Sequence, residues 1–221
     1  MTPPATTRIG EILRRRTAPV EDLAAHAADV ADTCHAMAQR FHRGGKLVVF
    51  GNGGPSTDAQ HVAVEFVHPV IVGKRALPAI SLTADVATLT GIATRHGLAE
   101  AFAHQLRFLG EPADIALGLS TDGRCATVLR GLEQAREIGM LRVALVGGDG
   151  GPIAAGGVAD HVLVARSEDP RVVKEVHVTM YHVLWELVHV FLEQPGVLDR
   201  AVTGSTAGGD RPRRGATGAP R

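Results

Sequence analysis

Residues 46–58 read KLVVFGNGGPSTD, a short apolar run that passes into a glycine-rich turn. The run at 46–50 predicts a buried strand, and the spacing that follows predicts a helix over 56–67. Glycine lets a ligand approach the backbone closely, and the N–H groups of the first helical turn favour an anion or a polar oxygen. The stretch is neither a Walker A loop nor a dinucleotide fingerprint. It therefore predicts a strand–turn–helix unit with a small-molecule site at the turn.

The same alternation continues along the chain. Further apolar runs lie at 79–82, 115–119, 143–146 and 161–165, and helical patterns lie at 84–94, 99–108, 126–138 and around 149–157. Nearly continuous apolar strands that alternate with helices indicate a parallel sheet covered on both faces. Ligands of such sheets bind beyond the carboxyl ends of the strands. We therefore predict one α/β domain over residues 46–194, with its ligand site at that edge.

The two ends of the chain have different patterns. Apolar residues at helical spacing predict a long amphipathic helix over 20–41, so residues 1–45 are expected to form helices that pack on the core or on a partner subunit. A last long helix is predicted over 172–192. Residues 195–221 are rich in Gly, Thr, Pro and Arg and are predicted to form a disordered, solvated tail.

Composition limits the classes of partner. Lys plus Arg equals Asp plus Glu, at 23 each in 221 residues, so no overall field favours nucleic acid or an anionic membrane. Aromatic residues make up 4% of the chain, which is too few for a base-stacking platform. The apolar runs are too short to span a bilayer, and two distant cysteines fit a reducing compartment. We expect a cytoplasmic protein without nucleic-acid or membrane partners.

Two predicted helices carry residues suited to acid–base chemistry. His61 and Glu65 stand four residues apart, a spacing that serves a metal ion, an acid/base pair or an ordinary intrahelical contact. In the last helix, His182 and His189 are expected to share a face, while His177 points elsewhere. A lone His on an apolar helix is usually a hydrogen-bonded core residue. A partner such as Glu65 would give His182 a catalytic role.

The segment STDGRC at 120–125 links the third predicted strand to the helix after it. Hydroxyls and backbone amides at a helix N-terminus form a phosphate cradle. Asp122 opposes a phosphate by its charge, or else it caps the helix. Arg124 would then restore the local charge balance. The segment predicts an anion-binding loop.

Taken together, these segments resemble the sugar isomerase (SIS) domain proteins, and within them the phosphoheptose isomerases, over nearly the whole chain except the tail. The resemblance rests on an ordered set of motifs: GNGG at 51–54, DAQH at 58–61 with Glu65, LT at 82–83 with Asp85, ST at 120–121 with Gly123, GDGG at 148–151, and EVH at 175–177 with His182. It implies a three-layer, doubly wound, flavodoxin-like sheet of five parallel strands with additional N-terminal and C-terminal helices. It also implies a homotetramer with sites at subunit interfaces.

The resemblance further implies a reaction, the conversion of sedoheptulose 7-phosphate to D-glycero-D-manno-heptose 7-phosphate. It makes His61, Glu65 and His182 zinc ligands, with Glu65 and His182 also placed to move protons through an enediol. Aldose–ketose exchange needs a base that removes a proton beside the carbonyl and an acid that stabilises the enediolate oxygen. One carboxylate and one imidazole suffice for this chemistry.

The implied substrate-binding shell matches the family at some positions and departs from it at others. The matching residues are Asn52, Gly53 and Gly54 for sugar hydroxyls, and Ser120 and Thr121 for phosphate. Pro55 replaces a serine, Thr94 and Arg95 replace an Asn-Asp pair, and Asp122 and Cys125 replace serines of the phosphate loop. Arg95 is expected to rebalance the charge that Asp122 introduces. These changes predict an altered substrate or a weakened activity.

The most telling departure is Lys174, which stands where the family has glutamine. A protonated lysine cannot ligate zinc. Either its ammonium occupies the metal's place and neutralises Glu65, or zinc binds through His61, Glu65 and His182 alone. Because the acid/base residues remain, the leading prediction is an aldose–ketose isomerase acting on a sugar phosphate. The alternative is a non-catalytic phosphosugar-binding or adaptor protein that resembles the replication-initiator-associating proteins of the same fold.

Overall fold

The computed structural model describes residues 5–198 and contains one parallel sheet. Its strands are β1 (Leu47–Gly51), β2 (Ala79–Ser81), β3 (Ile115–Ser120), β4 (Leu141–Gly147) and β5 (His161–Ala165). The helices are α1 (Ala5–Ala25), α2 (Ala27–His42), α3 (Gly54–Val67), α4 (Val86–His96), α5 (Ala101–Leu109), α6 (Ala126–Ile138), α7 (Gly151–Ala155), α8 (Pro170–Leu192) and α9 (Pro195–Leu198), with a 3-10 turn at Leu98–Glu100. The strand order β2-β1-β3-β4-β5 is that of flavodoxin-like sheets, so the predicted fold class is confirmed.

Alternate side chains of the strands face opposite layers of helices. Leu47, Val49 and Leu117 belong to a core cluster shared with α2, α3 and α8. Val48 and Phe50 belong to a second cluster shared with α5 and α6. Each fully buried side chain of this size contributes about 1.5–3 kcal/mol relative to an exposed one. The sheet is therefore covered on both faces and forms a stable platform for the loops at its edge.

The order in which strands are added to the sheet changes direction at β1, because β2 lies on one side of β1 and β3, β4 and β5 follow on the other. Strand β1 pairs with β2 on one side and with β3 on the other. The helix after β1, α3, packs on one face of the sheet, whereas the helix after β3, α6, packs on the opposite face. A crevice opens beyond the carboxyl ends of strands where such a reversal occurs. The glycine-rich turn after β1 and the loop after β3 lie at this place.

The N-terminal region differs from the single helix predicted over 20–41. The structure has two helices, α1 and α2, which are separated at His26. The His26 backbone N–H bonds to the Leu23 carbonyl, three residues back, and its ring Nδ1 bonds to the Asp22 carbonyl at 2.8 Å. This local bonding interrupts the α-helical ladder without a Gly or Pro. Beyond the break, α2 buries Cys34 and Met37 in the cluster that includes α8.

The C-terminal region begins with the long helix α8. Asp169 caps it by accepting the Arg171 N–H at 3.0 Å. Residues 195–198, predicted to start the disordered tail, form the short helix α9, and Leu198 is buried against the core. The prediction is wrong for those residues, while its part over 199–221 lies outside the described residues. Among residues 5–198, none of the helices combines the length and the hydropathy that a transmembrane span requires.

Candidate functional site

The turn after β1 depends on glycine. Gly53 has φ +66°, in the left-handed region that favours glycine. A Cβ on Gly51 would lie 2.9 Å from the Leu119 carbonyl oxygen, so the turn rests directly against the end of β3. Gly53 and Gly54 are exposed. The backbone of this turn is therefore open to a ligand, as the sequence predicts.

Asn52 connects this turn with the loop after β3. Its side-chain amide donates to Cys125 Sγ at 3.7 Å. Both residues line a cavity of about 310 Å³. The other residues that line it are Leu119, Ser120, Thr121, Asp122 and Arg124. The cavity thus brings together most of the predicted substrate-binding residues at the crevice between β1 and β3.

Asp122 caps its own loop and not helix α6. Its Oδ1 accepts the Arg124 backbone N–H at 2.9 Å and the Ser120 hydroxyl at 3.4 Å. The Arg124 guanidinium lines the same cavity as Asp122 but pairs with Asp149 at 2.7 Å. Within the part of the chain that the structure describes, no side chain caps α6, whose N-cap residue is Cys125. Its first N–H groups remain available to an anion.

Arg95 lies apart from this loop. It lines a separate cavity of about 970 Å³ beside the edge strand β2, together with Asp85 and His104. The reason is topological, because α4 follows β2 at the sheet edge whereas the anion loop follows β3. Within the chain, the expectation that Arg95 rebalances the charge of Asp122 is therefore wrong.

His61, Glu65 and His182 come together between α3 and α8. His61 Nε2 lies 3.1 Å from Glu65 Oε1, and the rings of His61 and His182 have centroids 5.3 Å apart. One ligand atom from each of the three residues lies within 4.8 Å of the others. The Glu65 side chain is 13% exposed and the His61 side chain 42%. A small molecule can therefore reach a largely buried carboxylate from the surface.

Contacts between α3 and α8 hold this cluster in place. The Tyr181 hydroxyl lies 2.7 Å from His61 Nδ1, and the Trp185 indole donates to the Glu65 carbonyl oxygen at 2.9 Å. Tyr181 is only 1% exposed, and its burial, with the nearby charges of Asp58 and Glu65, raises its pKa. Since 181 pairs with 61 and 185 with 65, the two helices run in the same direction.

Lys174 pairs with Asp58 and not with Glu65. Its ammonium donates to Asp58 Oδ1 at 2.6 Å, to Thr57 Oγ1 at 3.0 Å and to the Gly54 carbonyl at 3.3 Å. These three acceptors match the three N–H groups of the ammonium. Asp58 is buried, so Lys174 neutralises a carboxylate inside the first turns of α3. The hypothesis that Lys174 takes the metal's place beside Glu65 is wrong.

The other two histidines of α8 face the interior. His177 is 1% exposed and His189 is 2% exposed, whereas His182 is exposed. Residues seven apart differ by only about 20° around a helix, so His182 and His189 share a face. Their burial differs because the His189 ring is covered by the segment at Arg75, whose carbonyl lies 3.0 Å from His189 Nε2. Burial lowers the pKa of His177, whose ring also bonds to the Val146 backbone. These histidines are structural.

The donor set of the cluster fits zinc. Two imidazole nitrogens and one carboxylate oxygen are ligands that catalytic zinc sites use, and three protein ligands leave a position for a substrate oxygen. Among residues 5–198, His61, Glu65 and His182 are the one group whose geometry meets this requirement. Lys174 supplies no ligand because its ammonium is bound to Asp58. These residues suit zinc without a fourth protein ligand.

Sequence reasoning missed the supporting roles of Tyr181, Trp185 and Asp58. A signal was present for two of them, because the chain has a single tyrosine and a single tryptophan, and both lie in the apolar last helix. A buried hydroxyl or indole N–H needs a hydrogen-bond partner. Asp58 gave no such signal, since its partner Lys174 is far away in sequence.

Comparisons with known proteins agree with this architecture. A family model described as the SIS domain matches residues 13–147. A phosphoheptose isomerase of Desulfovibrio desulfuricans is 40% identical over 171 residues, which cover 76% of this chain and 80% of the relative. The structure of a phosphoheptose isomerase from Francisella tularensis superposes with a TM-score of 0.78 at 28% identity, covering 86% of this chain and 100% of the other. The structure of phosphoheptose isomerase GmhA from Neisseria gonorrhoeae superposes with a TM-score of 0.75 at 28% identity. The match covers 83% of this chain and 97% of the other.

Proposed function

This chain belongs to the phosphoheptose isomerase family of SIS-domain proteins, and from that premise we propose that it converts sedoheptulose 7-phosphate to D-glycero-D-manno-heptose 7-phosphate. The observation that supports the reaction most directly is the convergence of His61, Glu65 and His182. These residues lie on helices that meet beside the turn whose Asn52 touches the anion loop. The helix that carries His61 and Glu65 begins at Gly54, directly after this turn, so the acid/base group and the cavity of about 310 Å³ lie on consecutive segments of the chain.

The reaction moves one proton between two neighbouring carbons. A base removes a proton from C1 of the ketose, electrons shift toward the C2 carbonyl to form an enediol, and a proton returned to C2 gives the aldose. The Glu65 carboxylate is suited to take and return the carbon-bound proton, since it is shielded but reachable from the surface. His182 is exposed beside it and is suited to exchange protons with the substrate oxygens through a ring nitrogen that does not bind the metal.

The loops at the crevice hold the rest of the substrate. Ser120 and Thr121, together with the N–H groups that begin α6, bind the phosphate. Asn52 and the exposed backbone of Gly53 and Gly54 bind sugar hydroxyls. Asp122 and Cys125 stand in the same cavity and restrict how the phosphate is held. Lys174 acts on substrate only through the turn that it stabilises at Gly54.

We further propose a zinc ion on His61, Glu65 and His182. When bound there, zinc would supply Lewis-acid chemistry, polarising the substrate carbonyl and stabilising negative charge on the substrate oxygens. The chain's own residues hold two of these ligands in position. Trp185 donates to the backbone carbonyl of Glu65, and the Tyr181 hydroxyl contacts Nδ1 of the His61 ring. Zinc content measured on the purified protein checks this assignment, and a protein that binds no zinc would refute it.

We also propose that the protein is a cytoplasmic homotetramer whose sites lie at subunit interfaces. It is supported by apolar side chains that helix α1 leaves exposed, with Ile9 56% and Leu13 57% accessible. They lie four residues apart and so form one stripe, which suits a contact with another copy of the chain. Light scattering on the purified protein should give the mass of four chains, and a monomer mass would contradict it.

Turnover of the substrate tests the proposed function. Purified protein incubated with sedoheptulose 7-phosphate should form the aldose, as followed by NMR, and Glu65→Gln should form it far more slowly. A non-catalytic phosphosugar-binding or adaptor protein is not favoured, because the acid/base residues are assembled and not merely present. Binding of the sugar phosphate without turnover, with or without added zinc, would overturn the proposal.

A further inference from the structure

A chain of two hydrogen bonds runs from α8 through His61 to Glu65. The Tyr181 hydroxyl lies 2.7 Å from Nδ1 of the His61 ring, and Nε2 of the same ring lies 3.1 Å from Glu65 Oε1. Both nitrogens of His61 are therefore engaged. The Tyr181 side chain is almost fully buried, so water does not compete for its hydroxyl.

The hydrogens of this chain can be assigned from the chemistry of its groups. An ionised carboxylate only accepts hydrogen bonds, so the proton of a neutral His61 lies on Nε2 and points to Glu65. Nδ1 then carries a lone pair and accepts the Tyr181 O–H. Without a metal ion, the hydroxyl of Tyr181 and the Nε2–H of His61 each have an acceptor in this chain.

A metal ion on Nε2 requires the other tautomer. The ion binds the Nε2 lone pair, so the ring proton must move to Nδ1, where it needs an acceptor. A hydroxyl oxygen can accept as well as donate, whereas a backbone carbonyl or a carboxylate at this position would only accept. Tyr181 is therefore compatible with both states of His61.

We propose that Tyr181 is a positioning residue that holds the His61 ring through Nδ1 and lets His61 exchange its bond to Glu65 for a metal ion. The residue does not touch the substrate. It acts through the orientation and tautomer of His61, in the way that partners of metal-binding imidazoles fix their ligands. This inference rests on the proposed function in one respect only, namely that the bound metal takes part in the isomerase reaction.

Two variants separate this role from general packing. Tyr181→Phe removes the hydroxyl and keeps the ring. Trp185→Phe is the matched control, because it removes a hydrogen bond between the same two helices, one turn along α8, that reaches the Glu65 backbone and not the His61 ring. Thermal unfolding of both variants establishes that they are folded. The readouts are nitrogen NMR of His61, assigned with His61→Gln, and zinc affinity by competition with a chelator.

Without metal, the wild-type His61 should show the Nε2–H tautomer with a hydrogen-bonded Nδ1, and Tyr181→Phe should lose the Nδ1 hydrogen bond while Trp185→Phe keeps it. Tyr181→Phe should bind zinc about 10- to 100-fold more weakly, and Trp185→Phe within about threefold of wild type.

The proposal is overturned by a wild-type Nδ1–H tautomer without metal, which can be read even if a variant does not fold. It is equally overturned by unchanged zinc affinity in Tyr181→Phe, by an equal loss in Trp185→Phe, or by a wild-type protein that binds no zinc. None of these measurements uses turnover. Failure of the isomerase reaction alone would therefore reject the proposed function and leave the role of Tyr181 standing.

Discussion

The Lys174 ammonium on α8 lies 2.6 Å from Asp58 Oδ1 on α3, so a buried carboxylate at the start of one helix is neutralised from the other. Lys174→Met removes the charge and keeps the length of the stem. We expect the free energy of unfolding to fall by about 1.5–3 kcal/mol, as for other hydrogen bonds to charged groups. Urea unfolding at neutral pH measures it.

The same variant separates the two hypotheses about Lys174. Because its ammonium is bound to Asp58, zinc affinity of Lys174→Met should stay within about threefold of wild type. A rise of more than about tenfold, with little change in stability, would show that the ammonium competes with the metal.

Asp122→Asn should strengthen phosphate binding. The asparagine oxygen can still accept the Arg124 N–H that Asp122 Oδ1 accepts at 2.9 Å, so the loop keeps its shape. Removing one negative charge several ångströms from a phosphate contributes about 1 kcal/mol in a solvated site, so KM should fall about fivefold with kcat unchanged. Steady-state kinetics at low and high salt measure both constants. An unchanged KM at low salt would place the phosphate elsewhere.

The two cysteines should differ in their reaction with iodoacetamide. Burial raises the pKa of Cys34 to about 12, so its thiol stays protonated and shielded in the folded protein. Cys125 lines the anion cavity and is only half-buried. Mass spectrometry should find Cys125 alkylated first, with the rate lowered severalfold by saturating inorganic phosphate. Alkylation of Cys125 that phosphate leaves unaffected would argue against the cavity as the anion site.

Stability should fall as the solution becomes acidic, partly because of His177. Burial lowers the pKa of His177 in the folded protein, so below pH about 6.5 the unfolded chain binds a proton more readily than the folded one. The nearby Asp58 opposes this shift and Lys174 reinforces it. Unfolding free energy should therefore decline between pH 7.5 and 5.5. His177→Leu should have a lower unfolding free energy than wild type at pH 7.5, but that free energy should decline less steeply as the pH falls. If it declines as steeply as in the wild type, His177 is excluded as a cause.

The fold could be predicted largely because strands and turns carry local signals. The apolar run before Gly51 and the run at His161–Ala165 are each bounded by residues that break strands, and the structure places strands there. The break at His26 could not be predicted in this way. It depends on a hydrogen bond of the His26 ring to the Asp22 carbonyl, which an apolar pattern does not record.

The sequence predicted which residues form the site, but not which side chains contact each other within it. Lys174 and His182 stand eight residues apart, roughly 12 Å along a helix, so they meet different parts of α3. Which part each meets depends on the packing of α3 and α8, which run in the same direction and pair 174 with 58, 181 with 61 and 185 with 65. Sequence spacing within α8 does not contain that register. For this reason the sequence alone does not show that Lys174 pairs with Asp58 or that Tyr181 contacts His61.

The central claim is that Glu65 moves the proton between C1 and C2 of the ketose phosphate. Sedoheptulose 7-phosphate incubated with the protein in D₂O should give an aldose that carries deuterium at C2, and Glu65→Gln should slow its formation about 10²- to 10⁴-fold. The side chains have similar size, so the folded structure and phosphate binding should be retained. A Glu65→Gln protein that forms the aldose at the wild-type rate would contradict the account.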